Sequence, residues 1–181
     1  MVGKKVVEYD LFVQDIAHAK DWYGPDDPGN PRNWSLARAV TSTAAVSFLA
    51  FVSTLAASIY SPGHEQVQQE FNVSSTVAIL PLSLFNLGMA CGPLAGAPLS
   101  ETFGRKVLFL STTPIFALFI LGSGFAGSLP TLLVCRFFAG VFASPAISNA
   151  SATITDYSAA RYRAVPLAFY YAIPFCAAVL A

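Results

Sequence analysis

The sequence predicts an all-α, multi-pass membrane protein, and three observations lead to it. Of its 181 residues, 55% are hydrophobic and 11% are charged, and the mean hydropathy is +0.57. A soluble domain carries about 25% charged residues. The charges are also concentrated. Residues 1–38 hold Lys4, Lys5, Lys20, Arg32 and Arg38 together with Glu8, Asp10, Asp15, Asp21, Asp26 and Asp27, whereas the remainder is an apolar body. Finally, that body divides into charge-poor segments, each near the about 20 residues that cross a bilayer core of about 30 Å. Lys+Arg and Asp+Glu balance at ten each. With no basic excess to meet phosphate, a nucleic-acid partner is excluded. A disordered tail and a disulfide scaffold are excluded on composition.

The first element is a polar tail over 1–38. No apolar run follows Lys4 and Lys5, so a secretory signal peptide is not expected. Residues 21–35 are rich in Pro, Gly, Asp and Asn and read as loop. The body, 39–181, is expected to be a helix bundle of four to five spans, at about 39–60, 76–97, 107–127, 131–153 and 164–181. The last offers only about 17 residues, the lower limit for crossing. If the tail is cytoplasmic, Arg105, Lys106, Arg161 and Arg163 all fall on the cytoplasmic side. The outer loops, around 61–75 and 128–130, then carry no Lys or Arg. This bias predicts a cytoplasmic N-terminus.

Several features read as inert. Asn33, Asn72 and Asn149 each open an Asn-x-Ser sequon, and all are read as chance occurrences. Cys91, Cys135 and Cys176 fall in different spans and fit no metal or redox spacing. His18 and His64 lie far apart. No metal, no cofactor and no enzyme activity is expected, because no nucleophile–base pair or ligand cluster is recognisable.

Other features carry mechanism. In the second span Gly88, Gly92 and Gly96 stand four apart and let another helix approach closely. Asn86 is its one strongly polar side chain, suited to an interhelical hydrogen bond or to a substrate. In the fourth span Arg136, Gly140, Ser144, Ser148 and Ala152 follow four apart, a small stripe topped by a guanidinium. Gly140 would serve packing, and Ser144 and Ser148 are candidate cavity residues. A charge inside a span faces protein or a wet cavity, unless it lies near an interface and snorkels to water. The loop Gly96-Ala97-Pro98-Leu99-Ser100-Glu101-Thr102-Phe103-Gly104-Arg105-Lys106 is the most specific feature. Glu101 would end one helix and Arg105 would open the next. Both placements oppose the helix macrodipole, so each needs a partner elsewhere. For Arg105 the candidate is Asp156, at the same end of the fourth span.

That loop resembles the signature loop of the major facilitator superfamily of transporters, Gly-x-Leu-Ala-Asp-Arg-x-Gly-Arg-Lys. Leu99, Gly104, Arg105 and Lys106 match directly, Ser100 stands for the small residue and Glu101 for the acid. Two positions depart: Ala97 replaces the leading glycine and Thr102 the first arginine. Arg136 and Gly140 are similar to the Arg-x-x-x-Gly motif of proton antiporters. The segment from Asp26 to Ser35 resembles the Asp-Pro-x-Asn-Pro-x-Asn-Trp-Ser lead-in of fungal drug and polyamine antiporters.

The resemblance implies the N-terminal part of a fold with twelve helices in two halves, substrate bound between them, and alternating access by rocking. It implies proton-coupled export of a small organic compound, drug-like or polyamine. Arg136 would couple protons. Glu101, Gly104, Arg105, Lys106 and Asp156 would form a conformational latch, with Glu101 reaching a helix of the C-terminal half that a chain of this length lacks. The partners would be substrate, protons and the lipid bilayer. The expected location is the plasma membrane, with the vacuolar membrane as alternative. The competing expectation is a truncated, non-transporting membrane fragment or an interaction subunit.

Overall fold

Ser35 sets the start of the first long helix. In the computed structural model, which describes residues 31–158 and 163–180, a 3-10 turn at Pro31–Asn33 leads into α1, Leu36–Ser58. The Ser35 hydroxyl accepts the Arg38 N–H at 3.4 Å, one of the donors that a helix start leaves free. The helix therefore begins ahead of Ala39, where the apolar run starts. A joint at Ile59 separates α1 from α2, Tyr60–Phe71. It falls where Pro62, lacking an N–H, gives the Ser58 carbonyl no helical donor and crowds it with its ring.

Together α1, the joint residue Ile59 and α2 make 36 residues. That is about 54 Å of helix against a bilayer core of about 30 Å. The polar run YSPGHEQVQQEF of α2 is the part that outruns the core. It stops at Asn72, whose φ of 49° and ψ of 46° suit a left-handed C-cap.

The chain then returns in α3, Ser75–Phe103, and reverses at Gly104 into α4, Arg105–Gly124. It reverses again into α5, Leu129–Ser148, with Pro130 in the first turn, where no N–H is needed. A joint at Asn149 leads to the short α6, Ala150–Tyr157, and α7 covers Ala164–Leu180. Among the described residues there is no strand. Four segments are long and apolar enough to cross a membrane: Leu36–Phe71, Ser75–Phe103, Arg105–Gly124 and Leu129–Tyr157. At 17 residues α7 is shorter. The fold is all-α and of membrane type.

Several hydroxyls inside these helices satisfy themselves. Thr43, Ser53, Thr54, Thr112 and Ser148 each donate to the carbonyl four residues back, at 2.8–3.0 Å. In hydrocarbon, where water cannot serve, this is the local solution. The core forms two clusters. Val46, Ala50, Ala150, Ile154, Tyr157 and Tyr170 join α1, α6 and α7 near the end where Gly104 turns the chain. Phe85, Phe116, Ala139 and Ala143 join α3, α4 and α5.

Candidate functional site

The closest helix approach is between α3 and α5, and glycines make it. A Cβ added at Gly88 would overlap the Phe137 carbonyl oxygen and lie 2.9 Å from Val141 N. One at Gly140 would overlap the Phe85 carbonyl oxygen, and one at Gly92 the Ser144 hydroxyl. Gly96 differs, since its added Cβ would lie 3.8 Å from Pro145, an ordinary contact. Small residues at such crossings let backbones meet, which drives packing where both helix and lipid are apolar. The stripe of α5 therefore faces α3. Ser144 is 2% exposed and sits in this seam against Gly92, not on a cavity wall. Ser148 is half-buried and donates to the Ser144 carbonyl at 3.0 Å.

Arg136, in the second turn of α5, reaches across to the joint between α1 and α2. Its guanidinium donates to the Ala56 carbonyl at 2.9 Å and lies over the Tyr60 ring, 4.9 Å from the centroid. Carbonyls near a helix C-terminus carry partial negative charge, and an aromatic face attracts a cation. Arg136 thus has an electrostatic setting without a carboxylate, although its Nε has no partner. Tyr60 is buried, and its hydroxyl donates to the Ala78 carbonyl of α3 at 2.7 Å. Sequence reasoning missed Tyr60; its position at the last residue of the first apolar run was the only signal. Asn86 is exposed and lines a cavity of about 540 Å³ with Ser58, Ser61 and Ala178.

At the opposite end, Gly104 has φ 84° and ψ 152°. A side chain rarely adopts that pair, although a Cβ there would meet nothing within 4 Å. Glycine is required by the backbone, and the turn delivers Arg105 to α6. Arg105 Nε stands 2.9 Å from Asp156 Oδ2, and a terminal nitrogen donates to Oδ1 at 3.3 Å. The other terminal nitrogen donates to the Asn149 carbonyl at 3.3 Å and to the Thr153 hydroxyl at 3.4 Å. Arg105 and Asp156 are thus brought together, with Thr153 and Asn149 as partners the sequence did not suggest. Glu101 and Lys106 are exposed and stand outside this cluster. Among the described residues no group of His, Cys, Asp or Glu could hold a metal.

Membrane-length helices, with a cation set against the α1–α2 joint and an ion pair at the other end, define a multi-pass membrane protein. The chain matches the Major Facilitator Superfamily over residues 46–181 and belongs to it. It is 39% identical to "Polyamine transporter 4" of Saccharomyces cerevisiae, covering 88% of this chain and 24% of the relative. It is 41% identical to "Major facilitator superfamily multidrug transporter mdrA" of Aspergillus fumigatus, over 83% of this chain and 25% of the relative. With the "Cycloheximide resistance protein" of Candida maltosa it shares 38% identity, over 81% of this chain and 27% of the relative. The chain thus spans about a quarter of the length of these curated relatives. No solved structure matches it.

Proposed function

We propose that this chain is the N-terminal part of a proton-coupled exporter of small organic compounds that works by alternating access. The observation that carries the reading is the Arg105–Asp156 pair, 2.9 Å apart, which ties the start of α4 to the end of α6. An ion pair across a helix reversal can form in one arrangement of the bundle and break in another. It is exposed enough to do so at small cost, since such pairs contribute about 0–1 kcal/mol. Gly104 shapes the turn, Lys106 adds to its positive charge, and Glu101 is free to meet the C-terminal half of the transporter. Arg136 is the proton-coupling candidate: it sits at the α1–α2 joint on a carbonyl and a ring, where a change in nearby charge would shift it.

The cations Arg38, Arg105, Lys106 and Arg163 gather at the Gly104 end, whereas Glu65 and Glu70 lie toward Asn72. This supports a cytoplasmic Gly104 end and N-terminus. Relatives named for polyamine transport and for drug resistance support an amine or drug-like substrate. Asn86, exposed beside Ser58 and Ser61, is the polar group offered to such a compound.

The test is gradient-driven efflux from vesicles holding the full-length protein. Asp156→Asn should leave the protein folded and cut the transport rate at least tenfold, about 1.4 kcal/mol in the barrier. Transport by Asp156→Asn at the wild-type rate would remove the latch. Transport indifferent to the proton gradient would remove the coupling.

A further inference from the structure

The last two residues of α6 face different partners. Asn149, Thr153 and Asp156 recur at helical spacing and form the side that Arg105 spans. Ala150, Ile154 and Tyr157 form the neighbouring side, which is buried against α1 and α7. Tyr157 is 7% exposed, and its hydroxyl lies 2.6 Å from the Thr43 hydroxyl of α1. Its ring stacks on Trp34, just before α1, with centroids 5.8 Å apart and planes 18° from parallel. Trp34 in turn carries the Arg38 guanidinium 4.2 Å from its ring centroid. The residue next to Asp156 is therefore fixed to the start of α1 by a hydrogen bond, a ring stack and apolar burial.

This arrangement answers a difficulty in the ion pair. The Arg105 and Asp156 side chains are 32% and 49% exposed. In such a pair, the loss of side-chain freedom consumes most of the Coulomb gain. The pair forms reliably only if something else orders one partner. Asp156 is the penultimate residue of the 8-residue α6, where helix ends fray, so the helix by itself does not hold it rigidly.

We propose that Trp34 and Tyr157 are positioning residues: their stack fixes the end of α6 so that Asp156 meets Arg105. The pre-membrane segment, the first helix and the Gly104 turn thereby respond as one unit. The positioning is a property of the fold, and its consequence for transport rests on the latch reading above.

A double-mutant cycle on the full chain, purified in detergent, tests it. Arg105→Ala, Asp156→Ala and the double variant are melted in four backgrounds: wild type, Trp34→Ala, Trp34→Phe and Tyr157→Phe. The coupling is the part of the melting-temperature shift that the single variants do not account for. A merely structural Trp34 would lower every melting temperature by the same amount and leave the coupling intact. Positioning predicts that the coupling falls by at least half in Trp34→Ala, recovers in Trp34→Phe, which keeps a ring to stack, and falls in part in Tyr157→Phe, which loses only the hydroxyl bond. If Trp34→Ala does not fold, the two phenylalanine variants decide. Equal coupling in every folded background overturns the proposal. Because the cycle reads stability, loss of coupling with transport unchanged would count against the latch and not against the positioning.

Discussion

The Arg136 guanidinium lies over the ring of Tyr60, 4.9 Å from its centroid, and donates to the Ala56 carbonyl at 2.9 Å. The meeting falls at Ile59, where α1 passes into α2. Ala56 lies in the last turn of α1 and Tyr60 opens α2, so both flank that residue.

If Arg136 couples protons, Arg136→Ala should abolish gradient-driven transport while expression stays intact. Arg136→Lys should restore part of it, because lysine keeps the charge and loses the planar group that lies flat on a ring. Tyr60→Phe should transport, since the ring remains, but should lose about 1 kcal/mol of stability with the hydrogen bond to Ala78. Vesicle transport and thermal melting read these separately. Wild-type transport by Arg136→Ala would leave the arginine as an interfacial anchor.

The seam between α3 and α5 predicts a graded response. Gly88→Ala and Gly140→Ala each push a methyl into a backbone carbonyl of the facing helix. Neither helix can yield locally, and each variant should lose about 1–3 kcal/mol or fail to fold. Gly96→Ala meets only an ordinary contact at 3.8 Å and should melt within about 0.5 kcal/mol of wild type, as substitutions away from such features do. Size-exclusion profiles and melting curves of the three would rank them. Equal behaviour would mean that spacing alone, rather than the depth of approach, matters.

Of the bundle, the span count, the apolar body and the glycine spacing were legible in the sequence. They are local or periodic properties, and hydrophobicity plus a four-residue repeat displays them. The two joints were not. The one at Ile59 depends on Pro62, and reading the 39–60 window as one unbroken span hid it. The polar α2 was read as loop, because its low hydropathy speaks to solvent exposure and not to backbone shape. Ser144 shows the same gap. Its spacing placed it on a stripe with Arg136, but only packing reveals that the stripe meets α3 and not open space.

Gly104 and Asn72 should respond differently to side chains. Asn72 is left-handed at φ 49° and ψ 46°, and glycine is acceptable there, so Asn72→Gly should be near neutral. At Gly104, φ 84° and ψ 152° lie outside the left-handed well. Both Gly104→Ala and Gly104→Asn should then cost about 1–3 kcal/mol, despite the open space around it. Melting curves would show the contrast. An asparagine that rescued position 104 would show that the turn can relax into the left-handed well.

Orientation has a direct check. In a background with Cys91, Cys135 and Cys176 replaced, Asn72→Cys and Ser128→Cys should react with an impermeant maleimide in intact cells. Lys106→Cys should react only after permeabilisation. The reverse pattern would place the Gly104 end outside.

By itself the sequence determined the solvent and the class. A 55% apolar chain whose charge-poor segments run near about 20 residues satisfies its backbone polar groups in a bilayer as membrane helices. The loop from Gly96 to Lys106 named the family. Only the tertiary structure decided which residues meet. The 44 to 51 positions between Arg105 and its partners on α6 and at the joint before it, and the 80 between Ala56 and Arg136, carry no periodic signal. Such meetings are fixed by how closely the glycine seam draws the helices and by where each helix breaks. Hydropathy along the chain records neither.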